Sequence, residues 1–233
     1  MSLEKRTYPN GLTTYIDYIP EAATTAIQAY IPYGSVHEQP GEEGMAHALE
    51  HAVFLKTPLF PDKSAMRMHA RENGMYRNAN THYTRTLHVT EAVDAEPLVR
   101  HLGEVLFRAE IPDDATEHEM KAVRREATTK LDDVSLVHGV AQEFAMSGYP
   151  YGRRVIGYHD RLNFNGEQLR AAYESEYIMG AMAVVAVGAA SPDEIYAHID
   201  RYFQPNLNTR MPSSTTLVPP THAGDFVSGY VMP

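Results

Sequence analysis

The segment His47-Ala48-Leu49-Glu50-His51 constrains the fold and the chemistry of this chain more than any other feature. Successive residues of an α-helix turn by about 100°, so the side chains of His47, Glu50 and His51 fall on one helical face. Two neutral imidazoles on that face can bind Zn²⁺ while the carboxylate lies beside the water to be activated. The spacing therefore predicts a helix with a zinc-dependent hydrolase site, in which His47 and His51 are ligands and Glu50 is the catalytic base.

A catalytic zinc site needs a third protein ligand and an open fourth position. A second helix is predicted after Pro112, because proline and the acidic pair Asp113-Asp114 are typical of a helix N-terminus. Glu119 and Glu126 lie seven residues apart on that helix and share nearly one face. Spacing alone leaves open which carboxylate binds the metal, and it also allows both to be ordinary solvated glutamates.

The composition narrows the metal chemistry and the classes of partner. The chain has 233 residues and no cysteine, which excludes disulfides and thiolate ligands and leaves histidine and carboxylate. Its formal net charge of −10 disfavours nucleic acid as a partner. The N-terminus has no apolar stretch of the signal-peptide kind, and the longest apolar run, 181–190, is too short to cross a bilayer. We expect no membrane association and a cytoplasmic location.

Hydrophobic periodicity and turn residues predict an α+β fold. The predicted strands are 12–18, 25–33, 75–81, 85–91 and 181–187, with a hairpin turn at 8–11. Beyond the helix that carries His47, the predicted helices are 63–72, 96–108, 115–131, 136–146, 167–177 and 192–202. We expect one domain over 1–203, a linker-like segment rich in Pro, Ser and Thr over 204–225, and a C-terminal strand over 226–233.

Four blocks of the sequence, 44–51, 78–81, 149–157 and 182–188, occur in the order and spacing of a known family. They resemble the zinc helix, the Asn-Ala-x-Thr edge strand, the Pro-Tyr-Gly loop and a late core strand of the pitrilysin and insulinase group of zinc peptidases. That group includes the mitochondrial processing peptidase, and H-x-x-E-H is its inverzincin signature. The resemblance runs from about Tyr8 to Phe203.

The resemblance implies an insulinase-like metallohydrolase domain whose sheet is mostly antiparallel and packed against helices. In that family 74 residues separate the second histidine from the ligand glutamate, which is the separation of His51 and Glu126. Glu119 matches the family's further acidic residue, which supports the catalytic site. One Zn²⁺ per chain is therefore expected on His47, His51 and Glu126. An extended substrate peptide is expected to pair with the strand at Asn78, Ala79 and Asn80.

The function implied by the resemblance is that of a zinc-dependent endopeptidase that processes or degrades peptides or small proteins. Family members usually join two such domains, and the second supplies an arginine and a tyrosine to the oxyanion. Because the chain resembles one half, we expect a homodimer, or a heterodimer with a related subunit that supplies this pair. The alternative is a non-catalytic peptide-binding or assembly subunit of a heteromeric peptidase, although such subunits typically lose the zinc motif.

The other ten histidines show no second paired spacing on a helical face, so we expect them at the surface or in loops. His82 is singled out for its position next to the predicted substrate strand. The ten are His37, His69, His82, His88, His101, His118, His138, His159, His198 and His222.

Overall fold

The strands of the chain form a single sheet in the computed structural model, which describes residues 3–129 and 133–207. Within these residues six strands run in the order β1-β2-β6-β3-β5-β4. The strands are β1 (Leu3–Thr7), β2 (Thr13–Tyr18), β3 (Thr25–Ile31), β4 (Tyr76–Thr81), β5 (Thr86–Ala92) and β6 (Ala183–Gly188). Neighbouring strands are antiparallel except β2 and β6, which are parallel. The predicted α+β class with a mostly antiparallel sheet is confirmed.

Seven α-helices occur in the same residues. They are α1 (Met45–Ala52), α2 (Lys63–Glu72), α3 (Ala95–Phe107), α4 (Asp113–Thr129), α5 (Asp133–Ala145), α6 (Gly166–Glu176) and α7 (Pro192–Tyr202). The bounds of α2 and α7 agree with the prediction, because each follows a side chain that caps the helix. Asp62 accepts a hydrogen bond from the backbone N–H of Ala65 at 2.8 Å, and Ser191 accepts one from Glu194 at 3.3 Å. None of these helices is long and apolar enough to cross a membrane.

The helices cover one face of the sheet. Successive strand residues point to opposite faces, and in β3 the side chains of Ile27, Ala29 and Ile31 are fully buried while those between them are partly exposed. Helix α3 packs on β3 and β5 and also contacts α7, whereas α1 contacts α4, α6 and the edge strand β4. This arrangement brings together α1, which carries the predicted histidine ligands, and α4, which carries the predicted glutamate. Helix α1 also lies against β4, the predicted substrate strand at the edge of the sheet.

The prediction that the other histidines lie at the surface or in loops is wrong for His88 and His101, each of which is 1% exposed. His88 lies on the buried face of β5, and His101 lies on α3, which is buried on most of its surface. Their rings pack against Phe54, with centroids 5.4 and 6.2 Å from its ring. Burial lowers the pKa of both histidines to about 3, so both are neutral at pH 7.

The predicted C-terminal segments fall largely beyond the described residues. Residues 205–207 form a turn after α7. The rest of the predicted linker, 208–225, and the predicted strand, 226–233, lie outside the described residues, so the division into three segments stays a prediction.

Candidate metal centre and substrate cleft

Helix α1 is held at its N-terminus by a buried carboxylate. Both oxygens of Glu38 accept backbone hydrogen bonds, from Gly44 at 3.0 Å and from Ala46 at 2.9 Å. Burial raises the pKa of Glu38 to about 8, although both N–H donors favour its ionised form. Gly44 has a φ of 94°, and a Cβ at this position would lie 2.9 Å from the Cα of Gly157. The loop with the Pro-Tyr-Gly sequence therefore packs against the first turn of α1 and sets the direction of this helix.

Three side chains that can ligate a metal meet between α1 and α4. Nε2 of His51 lies 3.3 Å from Oε2 of Glu126, and Nε2 of His47 lies 3.8 Å from the same oxygen. Two ligands at about 2.1 Å from a tetrahedral zinc ion lie about 3.4 Å apart, so these distances and this donor set fit Zn²⁺. The potential ligand atoms of these three side chains all lie within 4.8 Å of one another, and no other group of at least three His, Asp or Glu side chains does so in the ranges that the structure describes.

Glu119 contacts the ring nitrogen of His51 that does not face Glu126. Its Oε1 lies 2.7 Å from Nδ1 of His51, and its Oε2 lies 2.5 Å from Nζ of Lys63. Burial alone would raise the pKa of Glu119, but the hydrogen bonds from His51 and Lys63 outweigh it and hold the pKa at about 2. An ionised Glu119 fixes the proton of His51 on Nδ1 and leaves Nε2, which faces Glu126, with a free lone pair that can bind a metal ion.

Glu50 is fixed by the strand next to α1. Its Oε2 accepts a hydrogen bond of 2.5 Å from the hydroxyl of Thr81, the last residue of β4. Glu50 follows His47 by three residues on α1, so its carboxylate stands on the helical face that carries the histidines. The structure thus brings the predicted base and the predicted ligands into one site.

The edge strand β4 forms the other wall of this site. A cleft of about 330 Å³ lies beside Glu50 and His51, and Asn78 and Ala79 contribute to its lining. Arg77, Ala79 and Thr81 are half-buried on the face of β4 toward α1, whereas Asn78 and Asn80 are exposed. Of the three predicted substrate residues, two line the cleft and Asn80 does not. Their role in peptide binding stays a prediction.

The basic residues of the cleft were missed by the sequence reasoning. Lys63, Arg67 and Arg77 all line it. Lys63 and Arg67 lie four residues apart on α2, which predicts a shared helical face. Nothing in the sequence pattern indicates that this face of α2 meets Glu50, because the contact is made between distant elements.

Comparison with known proteins finds one family model and several relatives that match this chain. Residues 14–157 match the family model described as insulinase, peptidase family M16. The chain is 28% identical over 206 residues to a probable mitochondrial-processing peptidase subunit beta of Schizosaccharomyces pombe, which covers 86% of this chain and 44% of that protein. It is 24% identical over 205 residues to the uncharacterized zinc protease YmxG of Bacillus subtilis, covering 86% of this chain and 50% of that protein. The chain thus spans about half the length of these relatives.

Solved structures show the same fold. A protease from Helicobacter pylori superposes with a TM-score of 0.83 at 18% identity, covering 94% of this chain and 53% of that chain. A peptidase M16 inactive domain from Pseudomonas fluorescens superposes with a TM-score of 0.84 at 14% identity, covering 95% of this chain and 54% of that chain. Because this architecture occurs in a domain described as inactive, the chemistry must be argued from the side chains.

Proposed function

Because the chain belongs to the insulinase family of peptidases, peptidase family M16, we propose that it is the zinc-binding half of an endopeptidase that cleaves peptides or small proteins. The observation that carries this proposal is the meeting of His47, His51 and Glu126, with Glu50 beside them on α1. The donor set is that of a catalytic zinc site with three protein ligands. The name of the Bacillus subtilis relative, a zinc protease, supports the same chemistry.

The side chains of the site have separate tasks in the proposed reaction. Zn²⁺, when bound by His47, His51 and Glu126, acidifies water and polarises a carbonyl group. Glu50 takes the proton of the attacking water and delivers it to the leaving amine. The Thr81 hydroxyl holds the Glu50 carboxylate in place for both transfers.

Glu119 acts as a positioning residue in this proposal. It accepts a hydrogen bond from the Nδ1–H of His51 and stays ionised, so the ring keeps one tautomer and one orientation. Lys63 holds the second oxygen of Glu119. A carboxylate at this position raises the electron density on Nε2 of His51, which strengthens the ligand without contacting the substrate.

The substrate is expected to bind as an additional strand. β4 is an edge strand of the sheet: among the described residues it pairs with β5 on one side and with no strand on the other. An extended peptide can pair its backbone with the free edge at Asn78, Ala79 and Asn80, which draws the scissile bond past Glu50. Backbone pairing of this kind selects extended conformation more than sequence, so side-chain selection must come from the cleft.

The chain is proposed to work in a dimer, because the Schizosaccharomyces pombe relative is named as a subunit of a processing peptidase. The partner is either a related subunit or a second copy of this chain, and it supplies the arginine and the tyrosine that stabilise the oxyanion. The name of that relative specifies a subunit beta, which supports the heterodimer with a related subunit. Preorganised donors to an oxyanion are commonly worth about 3 kcal/mol, so the isolated chain is expected to be a slow peptidase.

The experiment that tests this proposal measures zinc content and peptide hydrolysis on the same preparation. We expect about one Zn²⁺ per chain and weak hydrolysis that rises by roughly a hundredfold when the partner is added. A related subunit without H-x-x-E-H is the partner to use, with its arginine and tyrosine replaced as the control. A metal-free chain, or a complex with zinc but no hydrolysis at any partner concentration, would contradict the proposed function and favour the peptide-binding alternative.

A further inference from the structure

The cleft beside the proposed base carries an unusual concentration of positive charge. Lys63 and Arg67 line it from α2, Arg77 lines it from β4, and Glu50 and His51 line it from α1. The cleft measures about 330 Å³, which is large enough for an amino-acid side chain. Because the proposed base lines this cleft, we expect the side chain that fills it to belong to a residue next to the scissile bond.

Only one of the three cations is neutralised within the described part of the chain. Lys63 pairs with Glu119 at 2.5 Å. Neither Arg67 nor Arg77 takes part in an ion pair or a hydrogen bond with another described residue. Both guanidinium groups line the same cleft, and after burial the like charge of Arg67 is the further cause that lowers the pKa of Arg77. An anion between them would remove this repulsion.

Arg77 is half-buried beside an aromatic ring of the same cleft. Its guanidinium lies 5.3 Å from the centroid of the Phe54 ring, which also lines the cleft. Contact with an aromatic face occupies one face of the guanidinium and leaves the N–H groups of its edge for hydrogen bonding. A planar fork of this kind matches the two oxygens of a carboxylate.

The direction of β4 decides on which side of the scissile bond the cleft lies. The Cα atoms of Arg77 and Thr81, the residue that contacts Glu50, are about 13 Å apart along the strand, but the Arg77 side chain extends into the same cleft that Glu50 lines. A peptide that pairs antiparallel with β4, the more stable pairing, runs from Thr81 toward Arg77. Residues on the carboxyl side of the scissile bond therefore pass over the two arginines.

We propose that this cleft is a specificity pocket for an acidic side chain, and that the peptidase prefers glutamate or aspartate as the first residue on the carboxyl side of the cleaved bond. The proposal rests on the proposed peptidase function, since it assigns a substrate class to that same site. Arg67 and Arg77 are the residues that select, and Lys63 stays with Glu119. Cleavage would thus occur on the amino side of acidic residues in an extended segment.

The test uses three peptides of identical sequence except for Glu, Gln or Lys at the first position after the cleaved bond. The assembled peptidase, wild type, is assayed for kcat/KM, and the Glu50→Gln protein is used to measure binding of the same peptides by fluorescence anisotropy. We expect the Glu peptide to exceed the Gln peptide by roughly tenfold in both measurements, and the Lys peptide to be the poorest. Raising the ionic strength should shrink the difference, because Arg67 is exposed.

Variants assign the preference to the two arginines. Arg67→Gln should reduce the Glu to Gln ratio several-fold, and Arg67→Gln combined with Arg77→Gln should bring it to about one. Arg71→Gln is the matched control, since Arg71 is an exposed residue of the same helix outside the cleft, and it should leave the ratio unchanged. Arg67 is exposed, so its replacement tests the proposal even if the half-buried Arg77 position does not tolerate glutamine.

The outcomes separate this proposal from the peptidase function. Hydrolysis with equal rates for the Glu and Gln peptides, or with the preference at another position, would overturn the pocket and leave the peptidase function intact. Preferential binding of the Glu peptide without hydrolysis of any peptide would support the pocket and overturn the peptidase function. A ratio that falls equally in the Arg71 control and in the Arg67 variant would overturn the assignment to the cleft.

Discussion

Acid should destabilise this protein through its two buried histidines. His88 and His101 are each 1% exposed, and burial lowers the pKa of each from 6.5 to about 3. Below pH 6.5 the unfolded chain binds protons at these rings that the folded chain does not bind. The free energy of unfolding therefore falls as the pH falls through 6.5, and it keeps falling until the pH reaches about 3.

The size of the effect follows from the two pKa values. One unit of pKa difference corresponds to about 1.4 kcal/mol. A pH of 5 lies about 1.5 units below the pKa of the ring in the unfolded chain, while the ring in the folded chain is still neutral. Each histidine thus costs about 2 kcal/mol of stability at pH 5. For a domain with a total stability of about 5–15 kcal/mol, the loss of both contributions is large.

The His101→Phe variant tests this reasoning. Phenylalanine keeps an aromatic ring against Phe54 and Phe60, whose centroids lie 6.2 and 5.9 Å from that of His101, and removes the titrating group. Urea unfolding followed by circular dichroism at pH 7 and pH 5 gives the loss for each protein. We expect the loss in the variant to be about 2 kcal/mol smaller than in the wild type.

Two controls make the comparison specific. His159→Gln removes a histidine from an exposed position and should leave the wild-type loss unchanged. The metal site is the same in wild type and variant, so its own protonation cancels in the difference, and repeating the measurement with a chelator checks this. An equal loss between pH 7 and pH 5 in wild type and His101→Phe would refute the argument.

Three further predictions concern the site and its support. Glu119→Gln removes a contact to the proposed ligand His51 and should lower zinc affinity by roughly 10- to 100-fold in a chelator competition. Glu126→Gln removes a proposed ligand and should lower it by more; equal effects would contradict the ligand assignment. Thr81→Val should lower kcat by roughly tenfold without loss of zinc, because it removes the hydrogen bond that holds the proposed base. Gly44→Ala should lower the free energy of unfolding, measured in urea, by about 2–4 kcal/mol, because it adds a steric clash to an unfavourable φ. Gly41→Ala, with a φ of 94° and open space around it, is the control and should lose only the contribution of the unfavourable φ.

Local features of the fold were predictable from the sequence, because their causes are local. Helices α2 and α7 follow capping side chains, and the hairpin between β1 and β2 follows from the turn residues 8–11. The order of the strands was not predictable in the same way. β6 lies between β2 and β3, although roughly 150 residues of chain separate it from β3 and more from β2, and only tertiary packing decides such a pairing.

The site shows the same division. The spacing of His47, Glu50 and His51 predicts their shared face, and the family resemblance adds Glu126, which the structure brings to the two histidines. The contacts of Glu50 with Thr81 and of Glu119 with Lys63 join elements far apart in the chain, and the periodicity of the sequence does not predict them. The prediction for His88 and His101 failed for a related reason. A polar ring is expected at the protein surface, but His88 lies on the buried face of β5 and His101 lies among apolar residues of α3.

The most direct test of the central claim is the Glu50→Gln variant of the assembled peptidase, measured for bound zinc and for peptide hydrolysis together. Glutamine keeps the size of the side chain and can still accept a hydrogen bond from Thr81, but it cannot take a proton from water. We predict zinc content equal to that of the wild type and hydrolysis lower by roughly two orders of magnitude or more. Undiminished hydrolysis in the zinc-loaded variant would contradict the account, since the proton would then be taken by another group.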